Sequence, residues 1–167
     1  MFDPSSVPFT ALALAAALTI TAAASDMRSL RIPNRLCLLI AGLYPAYNLT
    51  IPVAAPWLST ITVASIILIV GFALFVSGFF GGGDVKLLAA LAIWAGPQGI
   101  FDLLSITAVT GGAMALVALS PLKFVTAMAS EKMGNLTLRD GLLAGRLPYG
   151  IAIAAGGLVV LATMAQT

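Results

Sequence analysis

Phe79-Phe80-Gly81-Gly82-Gly83-Asp84-Val85-Lys86-Leu87-Leu88 sets three glycines, a carboxylate and a lysine between two strongly apolar segments. Charged groups at bilayer depth are costly and mark functional sites by default. Glycines at the same place remove side-chain bulk and weaken the helix, so backbone can come close to another chain. Asp84 reads as half of a catalytic pair whose other half is Asp26.

The rest of the chain supplies the setting. Of 167 residues, 60% are hydrophobic and 8% charged, with mean hydropathy +1.09. A soluble domain carries about 25% charged residues, so the composition is that of an all-α polytopic membrane bundle. The net charge of +2 matters less than where the charges sit. The lone Cys37, inside an apolar run, reads as a small buried hydrophobe; one cysteine forms neither an intramolecular disulfide nor a four-cysteine zinc site. The absence of histidine removes Ser-His-Asp triads, Cys-His pairs, His-x-x-x-His metal sites and histidine switches. No metal site, cofactor or nucleic-acid partner is expected; a lipid bilayer is.

Six apolar segments follow in order. The first covers about residues 8–25. Ala22-Ala23-Ala24-Ser25 would suit a signal-peptide cleavage site, but no Lys or Arg precedes it, so an uncleaved span is expected. Asp26 to Arg35 reads as a short basic loop, with Pro33 starting the next helix. Segment two, 36–49, is short and bent at Pro45, and a charge-free linker with Pro52 and Pro56 follows. Segment three, 57–80, is the clearest span. Segment four, 85–95, is short; Gly96-Pro97-Gln98-Gly99 signals a turn into segment five, 100–120. Residues 121–147 read as a polar loop, and segment six, 149–165, begins after Pro148. One transmembrane unit over 1–167 is expected, with no separate soluble domain.

All eight basic residues (Arg28, Arg31, Arg35, Lys86, Lys123, Lys132, Arg139, Arg146) lie after segments one, three and five. The positive-inside rule then makes those loops cytoplasmic and puts both termini outside. Asp26 and Asp84 fall on one side at one depth, as a shared site requires.

Plainer readings exist for each group. Asp84 ahead of an apolar helix also fits an N-cap, and Asp26 also fits a loop charge paired with Arg28 or Arg31. Asp3 and Asp102 read as interfacial charges or caps, and Glu131 and Asp140 as a solvated face. Lys86 fits snorkelling, or tuning of Asp84. Gly78-x-x-x-Gly82 fits a helix-packing motif. The glycine run is no phosphate loop, because no Gly-Lys-Ser/Thr follows. Asn48-Leu49-Thr50 and Asn135-Leu136-Thr137 are set aside as chance glycosylation patterns.

Two adjacent carboxylates resist ionising together, so one keeps a proton while the other acts as base. Such a pair can activate water against a peptide carbonyl and protonate the leaving nitrogen. The alternative class is a non-enzymatic membrane carrier or assembly scaffold, with the aspartates as pathway or packing groups. A carrier would more often show a midplane acid and inverted repeats, and the sequence shows neither.

Two motifs resemble the prepilin peptidases, membrane aspartic proteases of the Gly-x-Gly-Asp type. They are Asp26-x-Arg28-x-x-Arg31-Ile32-Pro33-Asn34 and Gly81-Gly82-Gly83-Asp84-Val85-Lys86-Leu87-Leu88-Ala89-Ala90. Pro148-Tyr149-Gly150-Ile151-Ala152-Ile153-Ala154 resembles the start of the family's last helix. The resemblance implies that Asp26 and Asp84 are catalytic, with Gly81, Gly83, Lys86, Arg28, Arg31, Pro33 and Asn34 in support. It implies a prepilin or pseudopilin precursor as substrate, its basic leader cut at the cytoplasmic face of a bacterial inner membrane. Larger members carry a cysteine-paired insert between the first two spans and methylate the new N-terminus. Here that loop has ten residues, Asp26 to Arg35. The chain therefore resembles the short branch serving tight-adherence (Flp-type) pili, and neither methyl transfer nor S-adenosylmethionine binding is expected. A preflagellin-like precursor is the alternative substrate. Presenilin-like relatives share the Gly-x-Gly-Asp idea, but the first motif favours the prepilin branch. The 121–147 segment is expected to lie on the cytoplasmic surface and help admit the leader.

Overall fold

The computed structural model describes residues 7–51 and 56–166. Asp3 and Pro52 lie outside the described residues. Among the described residues there are seven helices: α1 (Val7–Ser29), α2 (Asn34–Asn48), α3 (Trp57–Val76), α4 (Gly82–Leu119), α5 (Leu122–Lys132), α6 (Leu136–Leu143) and α7 (Gly150–Met164). The described residues contain no strand. Three of these helices (α1, α3 and α4) are long and apolar enough to cross a bilayer, and α7 is a shorter apolar helix. The protein is an all-α membrane protein. Leucines, isoleucines and phenylalanines along α3 face outward, among them Leu58, Ile69 and Phe72, as lipid contact allows.

Several boundaries differ from those read in the sequence. α1 runs on through Ser29, so Asp26 sits in a helical last turn and not in a loop. An alanine-rich apolar run costs the helix nothing at its end, and charge alone does not stop it. α3 ends at Val76, four residues before Phe80. The 121–147 stretch folds into α5 and α6. Asn135 caps α6, its Oδ1 accepting from Leu138 N at 3.0 Å, and Arg139 bridges Asp140 at 2.8 Å and Glu131 at 3.0 Å.

α4 is two helical limbs joined at Gly96, where φ is 55° and ψ −167°. Pro97 follows and has no N–H to give the preceding turn. A Cβ on Gly157 would meet Leu91, while one on the adjacent Gly156 would meet the Leu103 carbonyl oxygen. Twelve residues of straight helix would hold Leu91 and Leu103 about 18 Å apart. The chain therefore doubles back at Gly96. Residues 82–95 and 97–119 form a hairpin, as the Gly96-Pro97 turn signal anticipates.

The two limbs of α4 and α7 form the core of the bundle, and α3, α2 and α1 pack around it. Glycine sets the spacing. With lipid on the outside no hydrophobic force draws helices together, and small residues let van der Waals contact do so. Gly71 leaves room for Val85, and Gly111 for Tyr149. Gly78 does not fit the packing motif read in the sequence: it occupies a turn at φ 79°, with nothing within 4 Å of where a Cβ would be. At the end of the bundle away from Asp84, Trp94 Nε1 donates to the Ile40 carbonyl at 2.8 Å. Tyr44 stacks edge-on against both Trp57 and Trp94 there, locking α2 and α3 to α4. Asn48, in the first of the discounted glycosylation patterns, is fully buried.

Gly156→Val tests this packing. Its Cβ would lie 2.6 Å from a backbone oxygen that cannot turn aside. Thermal unfolding in detergent should show a loss of about 1–3 kcal/mol. Gly42→Ala, where nothing lies within 4 Å, should stay within about 0.5 kcal/mol of the parent.

Candidate active site

Asp26 lies one turn from the C-terminal end of α1 and is 5% exposed. Its Oδ2 accepts the backbone N–H of Gly150 at 2.8 Å. Gly150 opens α7, and the first N–H groups of a helix have no partner within it. A carboxylate is favoured there by the helix dipole as well. The approach depends on glycine: a Cβ at 150 would lie 2.8 Å from Asp26 Oδ2 and 2.9 Å from Asp26 Cβ.

The turn after Asp26 is tightly held. Leu30 N donates to the Asp26 carbonyl at 2.8 Å, closing α1. Leu30 then takes φ 52°, a left-handed conformation that costs a branched side chain about 1–2 kcal/mol. Ser25 Oγ donates across the turn to the Arg31 carbonyl at 2.9 Å. From the far side Asn135 Nδ2 donates to the Met27 carbonyl at 2.8 Å. The Leu30 side chain fills the space where Gly141 of α6 lacks a Cβ. Pro33, in extended conformation, then starts α2.

Asp84 arrives from the other side. Gly81 is the extended N-cap of α4, and Asp84 is the third helical residue, not the cap itself. Its carboxylate turns back over Gly81, the direction in which the third residue of a capping box points. A Cβ on Gly81 would lie 2.7 Å from Asp84 Oδ2. Gly83 presses on the α1–α2 turn, where its Cβ would be 3.1 Å from Ile32 Cβ. Lys86 Nζ donates to Asn34 Oδ1 at 3.0 Å; its partner is therefore the start of α2 rather than Asp84. Phe80 stacks on Tyr149 with ring centroids 5.9 Å apart, tying the glycine run to the residue before Gly150.

Asp26 and Asp84 line one cavity of about 270 Å³, together with Arg31, Asn34 and the three glycines. The site read from the sequence is thus largely gathered. Arg28 is exposed, and neither it nor Pro33 is among the cavity's lining residues. Among the described residues Asp26 makes no ion pair with Arg28 or Arg31. Asp102 is exposed and lies on the returning limb of α4. Sequence reading did not assign Gly150, Ser25, Leu30 or Asn135 to the site. Gly150 alone carried a signal, a glycine opening an apolar helix directly after Pro148-Tyr149.

The fold and the site are those of an apolar helical membrane bundle in which two carboxylates line one polar cavity. The sequence model of the type IV leader peptidase family matches residues 13–116, a range that contains both aspartates. The chain belongs to that family and is a peptidase acting on precursors of prepilin type. No curated protein and no solved structure matched the chain.

Gly150→Ala should cost peptidase activity without unfolding the bundle. The added methyl pushes the Asp26 carboxylate off its seat, and displacements of about 1 Å cost about 100-fold in rate. Leader removal from a prepilin-type precursor, read beside the helix signal in circular dichroism, checks this.

Proposed function

We propose that this chain is an aspartic endopeptidase that removes the basic leader of Flp-type prepilin precursors at the cytoplasmic face of a bacterial inner membrane. Asp26 and Asp84 form its catalytic pair. The observation that carries this reading is their shared cavity, with Asp26 held by the Gly150 backbone N–H and Asp84 seated over Gly81. Neither is neutralised by a basic side chain among the described ion pairs.

The chemistry follows from a shared proton. One carboxylate takes a proton from a water molecule as its oxygen attacks the scissile carbonyl carbon. The other, protonated, hydrogen-bonds the carbonyl oxygen and then delivers its proton to the leaving nitrogen as the C–N bond breaks. The two carboxylates titrate as a pair, so apparent pKa values belong to the dyad. Gly81, Gly82 and Gly83 leave backbone, not side chains, on one wall of the cavity, which suits an extended peptide held close.

The membrane side is inferred from charge. Arg28, Arg31 and Arg35 flank the α1–α2 turn, and Lys86 joins it through Asn34. α6, between Lys132 and Arg146, packs on the same turn through Leu30 and Gly141. The basic segments thus meet at one end of the bundle, and that end faces the cytoplasm. α1, α2, α3, the two limbs of α4 and α7 supply six crossings, with both termini outside. The whole of residues 1–167 acts as one transmembrane peptidase unit, with α5 and α6 admitting the leader. The short α1–α2 connection, Leu30 to Pro33, supports the Flp-type branch over the larger methylating one.

Co-expression with a Flp-type pilin precursor tests the proposal. Asp26→Asn and Asp84→Asn should each lower leader removal by at least about 100-fold, while Asp102→Asn cleaves normally and all three accumulate in the membrane. Retained cleavage in either of the first two would return that aspartate to a capping role. The carrier or scaffold reading would then lead.

A further inference from the structure

A second cavity, about 550 Å³ and apolar, opens between α2 and α3 with α4 as its floor. Asn34 lines both this groove and the cavity that holds the aspartates. The Lys86–Asn34 hydrogen bond stands at the junction.

The lining has a period. From α2 it takes Asn34, Cys37, Leu38 and Ala41, spaced i, i+3, i+4, i+7. α3 between Ile61 and Leu68, and α4 between Lys86 and Ile93, repeat the same spacing. Three helices therefore turn matching two-turn faces toward one slot, about 10 Å long by helix rise. Alanines and Ser65 form much of that surface. Small residues on facing helices permit close backbone approach of a further helix.

We infer that this groove holds the substrate segment that adjoins the scissile bond, as an apolar helix whose first two turns pack against α2, α3 and α4. The inference rests on the reading of Asp26 and Asp84 as the catalytic pair. A chain cut in the aspartate cavity and continuing past Asn34 enters an apolar slot open to lipid. There its N–H and C=O groups must be satisfied within the segment, and a helix does that. Its side chains meet the groove at i, i+3, i+4, i+7, the spacing of helix-in-groove recognition. The scissile part of the substrate stays extended along the glycine wall. Specificity then divides by position: the glycine-walled cavity requires an unfolded peptide, and the groove requires a helix immediately after it.

Photocrosslinking in membranes tests this. Full-length Asp84→Asn protein is co-expressed with a Flp-type pilin precursor. Benzoylphenylalanine replaces Leu38 or Leu68 inside the groove. It replaces Leu39 or Val70, on the opposite faces of the same helices, as controls. Adducts to the precursor from the two groove positions alone, mapping within its first two turns after the cleavage site, are the expected result. Adducts only to lipid, adducts to a second copy of this chain, or equal adducts from all four positions would overturn it. In the active protein, Ala64→Phe should raise KM for the precursor at least about fivefold and leave kcat within about twofold. An unchanged KM with the bundle intact would also overturn it. Failure of the catalytic reading has a separate signature, because Asp84→Asn would then still remove the leader.

Discussion

The contact between the Asp26 carboxylate and the Gly150 backbone N–H is the constraint on which the site depends. It joins the end of the first helix to the beginning of the last across 124 residues of chain. It exists because two structural needs coincide. A helix N-terminus has N–H groups without partners, and a buried carboxylate must find donors. Glycine at 150 allows both to be met at once, because any side chain there would occupy the carboxylate's place.

The same economy recurs through the bundle. Asp84 is seated against Gly81 as Asp26 is against Gly150, each carboxylate lying where a glycine at a helix start leaves room for it. Gly83 lets the α4 N-terminus reach the α1–α2 turn, and Gly71, Gly111, Gly156 and Gly157 let α4 pack tightly on α3 and α7. A bilayer offers no water to satisfy a misplaced polar group and no hydrophobic drive to pull helices together. Glycine answers both difficulties by bringing backbone within reach. The apolar groove beside the site follows from the same arrangement, since α2 and α3 both pack on α4 and leave a slot between them.

The strained α1–α2 turn shows how α5 and α6 enter this scheme. Leu30 holds a left-handed conformation because α6 receives its side chain and Ser25 and Asn135 pin the backbone on either side. α5 and α6 thus brace the segment that carries one aspartate. The Asn135 that supplies this brace also caps α6, which accounts for an asparagine where the sequence alone showed only a chance glycosylation pattern.

Much of this was legible in the chain. Hydropathy set the membrane class, charge placement set the common side of Asp26 and Asp84, and Gly96-Pro97 announced the reversal in α4. Each of these depends on composition or local conformation, which neighbouring residues determine. Less legible were the helical state of Asp26, the two helices within 121–147, and the partner of Lys86. The role of Gly150 was hidden for the same reason: Asp26 and Gly150 are distant in sequence, and no local pattern reports which backbone N–H a carboxylate will meet. By itself the sequence determined which residues could do chemistry and on which side of the bundle they stand. Tertiary structure decided how they are held, because a carboxylate's position is set by donors and close contacts that only the packed helices bring together.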